Sequence, residues 1–465
     1  MADKKYKIAI IGSGPGGYTA ALRAGQLGAD TVLIEKEALG GTCLNWGCIP
    51  TKAFVRSAEV FADIQNAEDF GIKVENAELD FSAVVKRKDK IVKRLVRGVD
   101  HLLGKKNIDR IDGRASFIAQ NKIQIEKEAE TIEIEADNII IATGSETASL
   151  PIPGADLDDI LDSRSALDLD ELPESMIIVG GGIIGMEFAF IFRNFGVDVT
   201  VVEYLDQLVS GVDSEIASEL NRSARRRRIS VKTSAEVKEI KKQADAFEVV
   251  YQQKGKEKTA AAEKVLMAVG RRPYTDGLSL ENAGVNLSEK RRAVQVNKKM
   301  ETNVPGIYAV GDVTDKILLA HVASHQGVIA VENIMGMDKK MDYQAVPGAI
   351  FTSPEIGTVG LSEEEAKEKG IDYEVGSFPF AASGKVMAMG EREGKIKLIT
   401  EKESDKIIGA ALIGIEASDL ISELTLAVNL GLTAENLRET IHAHPTTAEV
   451  VHEAALALAD GSLNA

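Results

Sequence analysis

Cysteine is nearly absent. The chain has two cysteines in 465 residues, Cys43 and Cys48, with its one tryptophan, Trp46, between them. So few thiols exclude the disulfide framework of a small secreted protein. They also cannot furnish a four-thiolate zinc site, and a mixed site would draw on only six histidines, so no metal is expected. No apolar run reaches the roughly 18 residues that span a bilayer. The first run, "IAII" from Ile8 to Ile11, is too short for a signal-peptide core and reads as a buried strand. Positive charge is also scarce: 55 Lys and Arg against 72 Asp and Glu leave a net charge of −17. That argues against nucleic acid as the main partner and leaves basic protein modules open. These absences point to a cytoplasmic enzyme with no membrane segment, and the length predicts two to four domains.

What is present is a repeat. "KIAIIGSGPGGYTAALRAGQLGADTVLIEK" near the start is matched by "MIIVGGGIIGMEFAFIFRNFGVDVTVVEY" at Met176 to Tyr204. Each reads as an apolar strand, a glycine turn, a helix of about four turns and a second apolar strand. Gly12, Gly14 and Gly17 form G-x-G-x-x-G in the first copy, and Gly180, Gly182 and Gly185 in the second. An acid, Glu35 or Glu203, lies 18 residues beyond the last glycine of each. In such a unit one glycine makes the turn, the next admits a pyrophosphate and the last lets helix and strand pack. The helix N-terminus offers N–H groups to the phosphates, and the acid can take ribose hydroxyls. Two copies predict two dinucleotides.

Each unit closes with an apolar strand running into glycine: "ADNIIIATGS", with Thr143 and Gly144, and "EKVLMAVGRRP", with Gly270 and Arg271. "LPIPGADL" between the units reads as a linker. Lys52 to Lys106 reads as a long helical stretch, within which "FSAVVKRKDKIVKRLVRGVDHLL" is amphipathic. Arg225 to Arg228 read as a solvated helix end. "VPGIYAVGDVT" reads as a strand ending at Asp312, a carboxylate able to reach a cofactor hydroxyl. The last 120 or so residues, with a strand pair and helices, read as a separate α+β domain. The predicted fold class is α/β, with two Rossmann-like dinucleotide-binding domains plus a C-terminal α+β interface domain.

The cysteines follow the first unit's second strand, which puts them beside the first dinucleotide. Zinc site, structural staple and redox pair are all open to two cysteines. Their place beside a dinucleotide favours the redox pair, in which a cysteine at a helix start is the more nucleophilic. Five residues along a helix would turn the two side chains apart by roughly 140°. The segment from Asn45 to Gly47 must therefore unwind, and Gly47 makes that easier.

The motifs "IGSGPGGYTAA", "GGTCLNWGCIPTKA", "ATGS", "VGGGIIGMEFA", "AVGRRP", "GDV", "LAH", "TSPEIGTVGLSEEEA" and "HAHPTTAE" give the chain a resemblance to the flavoprotein disulfide reductases, class I. The resemblance covers essentially the whole chain and is strongest to the members that oxidise dihydrolipoyl groups with NAD+. It implies an FAD-binding domain at 1–150, an NAD-binding domain at 151–274, a central domain at 275–345 completing the FAD site, and a dimerisation domain at 346–465. It implies that Gly12, Gly14, Gly17, Glu35, Lys52, Ala115, Thr143, Gly144, Asp312 and Ala320 line the FAD site. Gly180, Gly182, Gly185, Glu203, Val237, Gly270 and Arg271 would line the NAD site. Glu187 and Lys52 resemble the pair near the reactive flavin nitrogen.

By the same resemblance, Cys48 faces the flavin, Cys43 exchanges with substrate, His444 is the base and Glu449 orients it. A thiol oxidation needs such a proton acceptor, and histidine titrates near neutrality. His442 reads instead as a structural histidine. The resemblance implies a homodimer whose partners are lipoyl-bearing proteins of a 2-oxo acid dehydrogenase or glycine-cleavage complex. Two alternatives are another NAD(P)H-dependent disulfide reductase and a non-catalytic nucleotide-binding subunit. Trp46, Ser324, His325 and the stretch Ala381 to Met389 depart from the family's usual wording.

Overall fold

Apolar runs separated by glycine turns build one parallel layer in each of two units. The computed structural model describes residues 4–459 and 461–464. One unit gathers Met1–Ala53, Ala83–Ala148 and Gly270–Asp342; the other gathers Phe54–Ser82, Ser149–Val269 and Tyr343–Ala465.

In the first unit β1 (Lys5–Ile11), α1 (Pro15–Gln26) and β2 (Thr31–Glu35) follow as the sequence predicts. Next come α2 (Gly41–Asn45), α3 (Cys48–Gln65), α4 (Phe81–Lys105), β3 (Asp109–Asp112), β4 (Arg114–Ala119), β5 (Lys122–Glu126), β6 (Thr131–Ile141) and β7 (Ser145–Thr147). The sheet order is β3-β2-β1-β6-β5-β4, and the short strand Ile307–Ala309 also pairs with β6. β1, β2, β3 and Ile307–Ala309 join in parallel, whereas β4, β5 and the first half of β6 form an antiparallel meander. β6 serves both because it is 11 residues long. Ile8, Ala9 and Ile10 are fully buried, as expected of a strand covered on both faces. The helix Ala320–Ile334 packs on α1 through glycine: a Cβ on Gly327 would stand 2.5 Å from the Gly16 carbonyl oxygen. Ser324 adds to that seam, donating to the Pro15 carbonyl and accepting from the Thr19 hydroxyl, both at 3.3 Å.

In the second unit β8 (Ser175–Val179), α5 (Ile183–Asn194) and β9 (Asp198–Val202) repeat the first fingerprint. β8 and β9 sit between Lys264–Met267 and Ser230–Lys232 in a four-stranded parallel sheet. A three-stranded antiparallel sheet (Ala235–Gln243, Ala246–Gln253, Lys256–Ala262) stands beside it in the same core. α6 (Ser214–Arg226) follows β9. The C-terminal part holds a five-stranded antiparallel sheet, which includes the predicted strand pair Lys395–Glu401 and Ile407–Gly414, and the helices Ala417–Leu430, Ala434–Glu439 and Glu449–Leu456.

A buried ionic cluster ties two parts of this unit. The Lys397 ammonium meets the Asp213 carboxylate at 2.9 and 3.1 Å and Glu363 at 2.8 Å. Asp213 caps α6, accepting from the Glu215 and Ile216 amides. Both Lys397 and Asp213 are 2% exposed. Nearby, Arg226 and Arg227 pair with Glu393, so the arginine run ends its helix partly neutralised rather than wholly solvated.

Three expectations change. α1 and α5 are 12 residues each, about three and a third turns rather than four. The stretch Lys52 to Lys106 is not one helix, because the chain leaves helical geometry after Phe70 and resumes only at Phe81. "LPIPGADL" is packed rather than a mere linker: Leu150, Ile152, Ala155 and Leu157 lie against the second unit's core. Gly154 there has no room for a side chain, since a Cβ would stand 1.9 Å from the Ile240 carbonyl oxygen.

Candidate active site

Each glycine of the first fingerprint answers a different steric demand. Gly12 turns the chain at φ +100°, where a Cβ would stand 2.4 Å from the Ala142 carbonyl oxygen. A Cβ on Gly17 would stand 1.9 Å from the Gly12 carbonyl oxygen, so only glycine lets α1 start this close to β1. Gly14, the N-cap of α1, is the opposite case: nothing lies within 4 Å of its would-be Cβ. The second fingerprint repeats the set. Gly180 faces Ala268 at 2.4 Å, Gly185 faces Gly180 at 2.0 Å, and Gly182 has open space. Two glycines per copy are therefore needed by the fold, and the middle one is needed by neither strand nor helix. Open space at a helix N-terminus, beside unpaired N–H groups, fits a pyrophosphate.

The acids end where the pattern put them, and both are held by backbone amides. Glu35 accepts from the Ser13 amide (2.9 Å) and hydroxyl (2.6 Å) and, through its other oxygen, from the Glu37 amide (2.9 Å). Glu203 accepts from the Gly181 amide and, at 2.7 Å, from the Leu205 amide. Ser13 is fully buried and is a residue that spacing alone does not reveal.

The remaining first-unit residues gather at the carboxyl ends of the parallel strands. The Gly113 amide donates to the Glu35 carbonyl, which brings β4 and the buried Ala115 beside that acid's strand. Ala320 opens the helix packed on α1. Thr143 donates to the Tyr274 carbonyl at 2.7 Å, and Gly144 turns the chain into β7. Gly270 and Arg271, expected beside the second dinucleotide, belong to the first unit, where Arg271–Pro273 pairs antiparallel with β7. Arg271 Nε donates to the Ser145 hydroxyl at 2.7 Å, and that hydroxyl donates to Asp312 at 2.6 Å. Burial pushes the Asp312 carboxyl up, while Ser145 and Arg271 oppose the shift. Ser145 is thus a link that the sequence reading missed.

The cysteine loop unwinds where expected. α2 ends at Asn45 and α3 begins at Cys48, with Trp46 and Gly47 between. Gly47 is required there, because a Cβ would stand 2.8 Å from the Thr42 carbonyl oxygen. The Trp46 amide donates to that same carbonyl at 3.0 Å, and the Trp46 indole N–H donates to the Thr42 hydroxyl at 3.2 Å. Asn45 fastens the other end of α2 to the Leu39 and Gly41 carbonyls. The two thiols are hydrogen-bonded to each other, Cys43 half-buried and Cys48 exposed. That bond, then burial and the negative charge of Cys48, push the Cys43 thiol up, with Lys52 opposing. Cys48 stands at the start of an 18-residue helix, where the helix dipole favours a thiolate. Tyr18 stands close enough to both sulfurs to feel their charge, a neighbour that the motif reading also missed.

In the second unit Glu187 is buried in α5 and accepts from the Phe351 amide at 3.0 Å. Val237 lies in the core at a bulge of its strand, so only its main chain is available to a ligand. His444 Nδ1 and Glu449 Oε1 are hydrogen-bonded at 2.8 Å, and the His444 side chain is 81% exposed. His442 has both ring nitrogens engaged, by the Thr440 carbonyl and by Glu423, each at 3.0 Å. Among the described residues no three metal-ligating side chains converge, and no helix is long and apolar enough to cross a membrane.

Residues 6–327 match the pyridine nucleotide-disulphide oxidoreductase family, and residues 346–455 match that family's dimerisation domain. The chain is 41% identical over 447 residues to a dihydrolipoyl dehydrogenase from Bacillus subtilis, covering 96% of this chain and 95% of the relative. It is 42% identical over 464 residues to one from Chlamydia muridarum, covering 99% and 98%. Among solved structures it is similar to the Cu(II) complex of the HOCl-induced flavoprotein disulfide reductase RclA from Escherichia coli. That match is 31% identical, with TM-score 0.88 over 97% of this chain and 99% of the other. LpdA from Mycobacterium tuberculosis is 27% identical, with TM-score 0.90 over 97% and 99%. With two glycine fingerprints, a paired dithiol between them and a matching dimerisation domain, the chain belongs to the pyridine nucleotide-disulphide oxidoreductases.

Proposed function

We propose that the chain oxidises protein-bound dihydrolipoyl groups to lipoyl with NAD+. The observation that carries this reading is the Cys43–Cys48 pair, hydrogen-bonded sulfur to sulfur at a helix start beside the first glycine fingerprint. The extent of likeness to dihydrolipoyl dehydrogenases supports it. The open spaces at Gly14 and Gly182 fit two dinucleotides, with FAD held by the first unit's residues and NAD by Gly180 to Glu203. When bound, FAD accepts an electron pair from a dithiol and yields hydride to NAD+.

The chain's own residues do the sulfur chemistry. A substrate thiolate attacks Cys43 Sγ of the oxidised pair, the Cys43–Cys48 bond breaks, and Cys48 leaves as thiolate. The second substrate sulfur then displaces Cys43, so the substrate gains its disulfide and the enzyme holds the electron pair as a dithiol. His444 takes the substrate proton at Nε2, because Glu449 occupies Nδ1 and stabilises the charged ring. Lys52 offsets the negative charge left on the sulfurs. The dimerisation match supports a homodimer in which His444 of one subunit serves the cysteines of the other. Lipoyl-bearing proteins of a 2-oxo acid dehydrogenase or glycine-cleavage complex are then the partners, and the reducing cytoplasm is the setting in which such a pair cycles.

Glu203 supports NAD over its 2′-phosphorylated form, since a carboxylate at that place repels a phosphate. The test is a yellow, flavin-bearing protein assayed with NAD+ and NADP+ against dihydrolipoamide and reduced glutathione. NAD+-linked turnover of dihydrolipoamide alone is expected. Glutathione turnover with the phosphorylated nucleotide, or a colourless inactive chain, would overturn the reading.

A further inference from the structure

The chain is acidic, yet α4 is not. Its 25 residues carry eight Lys and Arg against Asp89 and Asp100, a net charge of +6, which leaves −23 for the rest. At about 100° per residue, Lys86, Lys90, Lys93, Arg94, Arg97 and Lys105 all fall within an arc of about 120°. The two acids fall outside that arc and are otherwise engaged, Asp89 with Lys88 and Asp100 with Arg110. All six stripe residues are exposed, and none forms an ion pair among the described residues. The stripe runs about 28 Å along the helix. Its first turn adjoins the redox helix: the Arg87 guanidinium donates to the Ala53 carbonyl at 3.0 Å, five residues beyond Cys48 on α3.

A single-sign face of this length is not needed to hold α4 in place, since its buried contacts come from the opposite side, through Phe81, Lys88 and Leu103. Like charges three and four residues apart also weaken a helix slightly. We propose that this stripe docks the acidic face of the protein domain that carries the dihydrolipoyl arm, steering it towards Cys43. The inference rests on the proposed function for the identity of that partner. The rest of the chain carries −23, which disfavours an extended polyanion such as a nucleic acid or an anionic membrane, whereas a small acidic domain can match the stripe alone.

The test compares two substrates on the flavin-loaded dimer: free dihydrolipoamide, and a reduced lipoyl domain of net negative charge. In Lys90→Glu/Lys93→Glu/Arg97→Glu, kcat/KM for the domain should fall roughly tenfold or more, mostly through KM, and its salt dependence should flatten. Free dihydrolipoamide should be turned over as by wild type. The neutral variant Lys90→Gln/Lys93→Gln/Arg97→Gln should give an intermediate loss and guards against misfolding of the charge-reversed one. Equal kcat/KM for the domain in all three proteins, or equal losses on both substrates, would overturn the proposal. Titration of an unlipoylated acidic domain decides docking by itself, so a wild type inactive on dihydrolipoamide would sink the functional reading separately. Tighter binding to phosphatidylglycerol vesicles or to duplex DNA than to the domain would also overturn it.

Discussion

His444 and Glu449 face each other at 2.8 Å across a turn of the chain, one oxygen of Glu449 on the imidazole and the other on the Thr446 amide at 2.9 Å. An ionised carboxylate only accepts, so Nδ1 carries the proton and Nε2 is the basic nitrogen. His444→Gln should lower kcat for dihydrolipoamide oxidation by about 10²- to 10⁴-fold. Glu449→Gln should cost less, because the base remains and loses only its orientation. Steady-state kinetics with NAD+ checks both, and a Glu449→Gln loss exceeding that of His444→Gln would refute the assignment.

The same pair gives stability a pH dependence. The His444 hydrogen bond first, and the Thr446 amide after it, hold the Glu449 carboxyl below its ordinary value. A depressed folded value means that the ionised group stabilises the fold above the unfolded value. That contribution disappears as pH falls through the folded value. Urea midpoints of wild type and Glu449→Gln should therefore differ at neutral pH and converge towards pH about 3. A gap that widens on acidification contradicts the sign.

The fingerprint glycines should separate into two kinds. Gly17→Ala puts a methyl group 1.9 Å from the Gly12 carbonyl oxygen and should cost about 3 kcal/mol or more. Gly14→Ala meets open space with backbone angles that alanine accepts (φ −63°, ψ −176°). Its flavin-free form should melt within about 0.5 kcal/mol of wild type. Flavin affinity should nevertheless fall, since the methyl group enters the space left for the pyrophosphate. Calorimetry of the flavin-free proteins and flavin titration test the contrast.

Lys397→Met leaves the Asp213 carboxylate buried without its main partner. A loss of about 3–5 kcal/mol is expected, read as a lower urea midpoint. Lys397→Met/Asp213→Asn should recover part of it, because the second change removes the stranded charge. No recovery in the double variant would mean that the cluster acts through packing alone.

The glycine patterns were legible because each glycine answers a local demand: a turn at Gly12, a helix start against Gly17, a vacancy at Gly14. The unwinding between the cysteines was legible too, since helical spacing cannot bring Cys43 to Cys48. The grouping of segments was harder to read. Ile307–Ala309 joins the first sheet through β6, a pairing between residues some 170 positions apart that no local periodicity records. Ser13 and Ser145 were missed for a related reason. Serine carries no pattern of its own, and each gains its place only when tertiary contact brings Glu35, or Arg271 and Asp312, to its hydroxyl. Arg271 groups with the first unit although it directly follows the second unit's closing strand. The fold returns the chain at Gly270 to pair with β7.

Trp46 is the only indole in the chain, and its N–H is bonded to the residue next to Cys43. Indole fluorescence from this protein therefore has one source, inside the loop whose sulfurs exchange electrons. Making or breaking the sulfur–sulfur bond changes the quencher beside that source, and no second indole masks the change. The redox loop thus carries its own optical probe, and stopped-flow emission can follow the loop alongside the flavin colour change without any label.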